Sequence, residues 1–297
     1  MTGTALAIRG RDQDGSRRSR SKRAIWMSGI ALGTVSLVGL PSTSARAVDF
    51  EIQEATVEKG EVEVEYRGSK FDGQPKEGIV EEEEEEDEEE SPLDNGHDVE
   101  LQLGITERIM ISFTGVLDKP VDEDFRLSVA EVEFQYELFE KAHSAMSLQF
   151  EYEFATIGNT PDEFSFGPLI EYWSGRFRTT ANLFLTGQAG DNVETDGPGF
   201  EYALQFKGAL TQRLGLGVEA FGEIEDLSNA GSFNDQEHYA GPMLYLGKGQ
   251  NEVGESDDEK NGDGEREASL SFSTGVLFGL TDVTSDVVYR LNAYLEF

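Results

Sequence analysis

The sequence has no cysteine and only three histidines among its 297 residues. The first absence excludes disulfide staples, thiolate metal sites and a lipid anchor on cysteine, without fixing the compartment. The second leaves little for histidine-based catalysis. His97 and His143 lie beside expected turns, His238 opens an expected strand, and His143 with Ser144 is a dipeptide rather than a catalytic arrangement. The sequence has no glycine-rich phosphate loop and no spaced set of metal ligands, so neither catalysis nor a cofactor is expected. Basic residues are scarce too, 24 against 59 acidic ones. A formal charge of −35 repels phosphates, which excludes nucleic acid from the expected partners. After Leu40 no apolar run approaches the roughly 20 residues that a transmembrane helix needs.

What is present at the N-terminus has the order of a bacterial secretory signal peptide. Arg17, Arg18, Arg20, Lys22 and Arg23 form a basic region, Ala24 to Leu40 is apolar, and Ala45 to Ala47 offers small residues at the cleavage positions. A single membrane anchor is the other reading of such a run, but its glycines and the small-residue site favour cleavage, and residues 1–47 are assigned to the signal. The chain from Val48 onward then holds 16 basic and 57 acidic residues, a formal charge of −41.

Residues 48–297 carry a period of two. In "AEVEFQYEL" Val132, Phe134, Tyr136 and Leu138 alternate with Glu131, Glu133, Gln135 and Glu137, and "SLQFEYEF" repeats the pattern over Ser147 to Phe154. A helix would scatter the glutamates around its circumference, whereas a strand collects them on one face. About twelve segments read this way, near 56–67, 98–106, 109–117, 126–139, 145–155, 164–173, 176–188, 199–210, 214–225, 238–247, 268–279 and 287–297. Most are longer than the five or six residues, roughly, of an average soluble strand. Tight joins largely alternate with long polar ones, as on the two rims of a membrane barrel. The expected fold is therefore all-β, a transmembrane antiparallel up-and-down β-barrel of about twelve strands. A soluble β-sandwich is the competing reading, but it accounts for neither the strand length nor the signal peptide. In hydrocarbon a sheet must close, because an open edge leaves backbone groups without partners. The apolar face then meets lipid and the polar face lines a lumen, which explains a mean hydropathy of −0.44.

Two acidic stretches interrupt the pattern, near 72–96 around "EEEEEEDEEE" and near 248–267 around "GESDDEKNGDGERE". Consecutive like charges repel and lack the fixed spacing of a calcium loop, so both read as solvated, disordered insertions. The second is awkward: with both termini periplasmic, the join between the tenth and eleventh strands belongs to the rim of short turns. On the polar faces Glu131, Glu133, Glu151 and Glu153, with Arg178 and Arg290, are the candidate lumen-lining residues. Their acidic excess suits a cation-preferring polar pathway, and it equally suits an interior closed by ion pairs. Both remain open.

The last strand ends on Phe297, preceded by apolar residues at every second position from Val287 to Leu295. This resembles the assembly signal of Gram-negative outer-membrane proteins, although Leu295 stands where that pattern more often has Tyr. "HYAGPMLYLG" (His238 to Gly247) and the closing "GVLFGLTDVTSDVVYRLNAYLEF" are similar to the outer-membrane transporters of the phenol meta-pathway degradation family. The resemblance covers chiefly the last third of the chain. It implies the bacterial outer membrane, with its lipid and the barrel assembly machinery as partners. It also implies a channel for passive passage of small solutes, hydrophobic or aromatic ones included. The alternative is a non-transporting barrel serving the envelope structurally or through interactions. Export should remove everything up to Ala47, so mass spectrometry of the mature protein is expected to find Val48 as its first residue; a membrane-associated species still carrying Trp26 would contradict the assignment.

Overall fold

Alternation at every second residue becomes twelve strands in the computed structural model, which describes residues 50–73, 92–158, 160–190, 193, 195–247 and 268–297. The expected signal peptide and nearly all of the two acidic insertions lie outside the described residues. The strands are β1 (Val62–Asp72), β2 (Leu93–Thr106), β3 (Ile109–Pro120), β4 (Arg126–Lys141), β5 (Ser144–Ala155) and β6 (Asp162–Ser174). They continue with β7 (Phe177–Ala189), β8 (Gly199–Thr211), β9 (Leu214–Ile224), β10 (Glu237–Leu246), β11 (Ser269–Gly279) and β12 (Val287–Glu296). Each pairs antiparallel with its neighbours in sequence, and β1 pairs with β12, which closes the sheet into a barrel.

Closure sorts the residues by face. Across β4 and β5, Phe134 stands opposite Phe150 and Val132 opposite Tyr152, while Glu133 stands opposite Glu151 and Glu131 opposite Glu153. Phe113, Phe134, Phe150, Phe166 and Leu291 are exposed on the outside. Arg67, Glu100, Glu133, Glu171, Glu219 and Arg290 are all no more than 4% exposed. This reverses the usual distribution, in which charged residues are the ones left in water.

Four two-residue turns mark one rim: Glu107–Arg108, Ala142–His143, Gly175–Arg176 and Gln212–Arg213. Gly175 has a φ of 60°, a left-handed conformation that a residue with a Cβ adopts only with strain. The start of β1, the end of β12 and the β10–β11 connection belong to this rim, and the longer joins such as 225–236 belong to the other. The second acidic insertion therefore does interrupt the rim of tight turns, and the count of twelve strands stands.

One strand is displaced from its expected position. The alternation placed the first strand near 56–67, but β1 runs from Val62 to Asp72. Gly68, Ser69 and Lys70 break the apolar pattern, yet the outer face is continuous there. The Tyr66 ring lies over Gly68, and a Cβ at 68 would come within 2.6 Å of the Tyr66 hydroxyl. That hydroxyl also shares a hydrogen bond of 2.7 Å with His97 Nδ1 on β2. β2 likewise begins earlier than expected, at Leu93 rather than near 98, so the first insertion is confined between Asp72 and Leu93. Among the described residues that precede β1, 50–57 form no strand of the wall.

Phe297 completes the seam between the first and last strands. Its N–H donates to the Val62 carbonyl at 2.9 Å, and the Val62 N–H donates back at 3.5 Å. Both bonds sit at the rim, and Phe297 is exposed. Deleting Phe297 should therefore cost only about 1 kcal/mol of folded stability, measured by urea unfolding of the refolded protein in detergent.

Candidate functional site

A backbone segment that enters a closed barrel loses water, so its N–H and C=O groups need partners from the wall. Residues 50–57 are such a segment, and wall side chains supply the partners. Asn182 on β7 bonds Gln53 twice, its Oδ1 accepting the Gln53 N–H and its Nδ2 donating to the Gln53 carbonyl, both at 2.9 Å. The Ala55 N–H donates to Glu171 Oε2 and the Val57 N–H to Glu137 Oε2, each at 3.1 Å. Gln135 Nε2 donates to the Glu54 carbonyl at 3.0 Å, and the Ser147 hydroxyl donates to that of Ala55. The N–H groups of residues 53, 55 and 57 face the same side because the segment is extended and successive residues alternate. It is in effect a strand whose ladder partners are side chains.

Three arginines fix this segment along its length. Arg67 Nη1 on β1 lies 2.6 Å from Glu51 Oε2 and from Glu100 Oε2. Arg178 on β7 reaches Glu54 Oε1 at 2.7 Å and Glu171 Oε1 at 2.9 Å. Arg290 on β12 pairs with Glu219 Oε2 at 2.6 Å and donates to the Phe50 carbonyl. Glu219 is further held by Gln205 at 3.0 Å and the Tyr245 hydroxyl at 2.7 Å. The ring of Phe50 meets those of Phe221 and Tyr239 edge-on at 5.3 and 5.2 Å, a favoured geometry for aromatic pairs. The Arg290 guanidinium lies 5.4 Å from the same ring. At the other end Ala55 is packed with Ala145, Leu169 and Trp173. The turn into β1 rests on β2, where the Gly60 N–H donates to the Gly104 carbonyl at 2.7 Å. A Cβ at 104 would fall 1.9 Å from the Glu58 carbonyl oxygen, so only glycine permits this approach.

All six candidate lumen residues of the sequence lie on the inner side of the wall strands, but they divide by role. Glu133, Arg178 and Arg290 hold the segment, Glu133 accepting from Gln53 Nε2 at 3.0 Å and from Gln149 Nε2 at 2.7 Å. Glu131, Glu151 and Glu153 are half-buried and lie in cross-strand register with other glutamates. Sequence reasoning missed Glu51, Gln53, Glu54, Arg67 and Asn182. The available signal was the alternation of Phe50 and Ile52 with Glu51 and Gln53, which begins before the expected first strand. Of the histidines, His97 bonds Tyr66 and His238 shares a 3.0 Å hydrogen bond with Tyr202. In the 225–236 join the Ser228 hydroxyl and nearby backbone amides hold the Asp226 carboxyl below its ordinary pKa. Backbone and side-chain bonds from Ser232 do the same for Asp235.

These features define a closed antiparallel barrel with an apolar exterior and a charged interior that holds residues 50–57. Similar solved structures include a KdgM porin, with a TM-score of 0.47 and 8% identity over 79% of this chain and 99% of that one. An outer membrane channel from Pseudomonas putida gives 0.48 and 8%, over 84% of this chain and 97% of that one. LpxR from Salmonella typhimurium gives 0.37 and 8%, over 79% and 99%. No family model matches the chain, and no curated protein matches it. The likenesses concern barrel architecture alone.

Arg290 gives a direct test of the segment's anchoring. Arg290→Met keeps the volume but leaves Glu219 buried without its ion, which should cost about 3 to 5 kcal/mol. Adding Glu219→Gln should recover part of that loss, and chemical unfolding in detergent measures both.

Proposed function

We propose that the protein is a Gram-negative outer-membrane channel for passive diffusion of small solutes, with the segment 50–57 narrowing its lumen. The observation that carries this reading is the reversed polarity of a closed sheet. Exposed Phe and Leu side chains form the exterior while Arg and Glu are buried inside, an arrangement that suits lipid outside and a polar path within. On this reading the signal peptide delivers the chain to the periplasm, and the barrel assembly machinery recognises the last strand through Phe297. The acidic residues Glu131, Glu133, Glu151 and Glu153 favour cations and neutral solutes over anions. The resemblance of the closing third to the phenol meta-pathway transporters supports hydrophobic or aromatic solutes.

One observation favours a second reading, a non-transporting barrel of the envelope. The hydrogen bonds from Asn182, Glu171, Glu137 and Gln135 satisfy the segment so fully that it could serve as a permanent filling. Conductance in planar bilayers separates the two. Refolded mature protein should give small, cation-preferring steps, and a form lacking residues 50–57 should give steps several-fold larger. Absence of conductance from both would leave the non-transporting reading standing.

A further inference from the structure

One lumenal cation is held differently from the three arginines. Lys207 of β8 shares the inner face with the buried Gln205 and Ala209, while Leu204, Phe206 and Leu210 are exposed on the outside. It stands directly opposite Arg178 of β7, a pairing of like charges that is unfavourable unless the side chains diverge. They do diverge. Arg178 reaches back to Glu171 of β6 and to Glu54 of the segment, whereas the Lys207 ammonium lies 5.2 Å from the centre of the Tyr245 ring on β10. Gly217 of β9 stands directly opposite Lys207 on its other side and makes room for that ring, since a Cβ at 217 would lie 3.0 Å from it. The Tyr245 hydroxyl is tied in turn to Glu219 at 2.7 Å.

A ring face steadies an ammonium through its quadrupole but does not cancel the charge. Three carboxylates act on Lys207 from a distance, those of Glu54, Glu171 and Glu219, and each is already paired with Arg178 or Arg290. Among the described residues Lys207 is the one inner-face cation of the wall strands with no carboxylate at ion-pair distance. It is only half-buried, so the lumen reaches it. A fixed charge beside a narrow path slows ions of its own sign, and the low dielectric of the surrounding wall strengthens the effect. We propose that Lys207 is a specificity-determining residue of the lumen: its ammonium opposes the cations that the inner glutamates admit, so that uncharged solutes pass best. This rests on the channel reading and narrows its solutes to neutral ones.

The test is the reversal potential of the full mature protein in planar bilayers under a KCl gradient. Lys207→Met keeps an unbranched chain against Tyr245 and removes the charge, so it should raise the potassium-over-chloride permeability ratio several-fold at low salt. The difference should vanish in about 1 M KCl, where the screening length is about 3 Å. A change in packing would persist there. Lys207→Arg should keep the wild-type ratio. A heat-modifiable gel shift reports whether each variant is folded, and if Lys207→Met does not fold, Lys207→Gln decides. A ratio unchanged at low salt by the loss of this charge, or a change that persists at high salt, would overturn the inference and leave the channel reading intact. A wild type that conducts nothing overturns the inference as well, and the form lacking residues 50–57 then decides the channel reading by itself.

Discussion

Every backbone N–H and C=O that leaves water needs a partner, and both layers of this protein follow from that requirement. In the wall it is met by closing β1 on β12, so that no strand edge remains. Inside the lumen no edge is left to pair with, and the segment before β1 meets the same requirement through Asn182, Glu171, Glu137 and Gln135. The long polar side chains of the inner face thereby act as substitutes for a neighbouring strand.

Charge is arranged by the same logic at longer range. Glutamates directly opposite one another, such as Glu133 with Glu151 and Glu131 with Glu153, are unfavourable as isolated pairs. Among the described residues three inner-face arginines are each shared between carboxylates of the wall and groups of the segment. Arg67, Arg178 and Arg290 each join wall to segment, and each neutralises at least one wall glutamate while doing so. An arginine suits these posts because its planar guanidinium can serve two acceptors at once, which a lysine does less well.

Most of the wall was legible because an antiparallel barrel writes itself as alternation. The tight turns and ten of the strands lie within a few residues of their expected positions. β1 and β2 were shifted where Gly68 to Lys70 and Asn95 to His97 lack alternating apolar residues, and only the overlying Tyr66 ring shows how the outer face is completed. The inner-face charges could be assigned to a side but not to a partner, since period two fixes which way Arg290 points and not what it finds there. The lumenal segment was hidden for a related reason. Its alternation is that of a strand, and nothing local distinguishes a strand paired to neighbours from one paired to side chains.

Gly60 turns the lumenal segment directly into β1, and Arg290 near the other end of the chain donates to the Phe50 carbonyl across 240 residues of sequence. The first described residue is thus gripped by the last strand to be synthesised. Contacts so distant in sequence form only after the entropy of closing the intervening chain has been met, which makes them late events in folding. The grip on Phe50 and the seam between β1 and β12 therefore both wait for the same last strand.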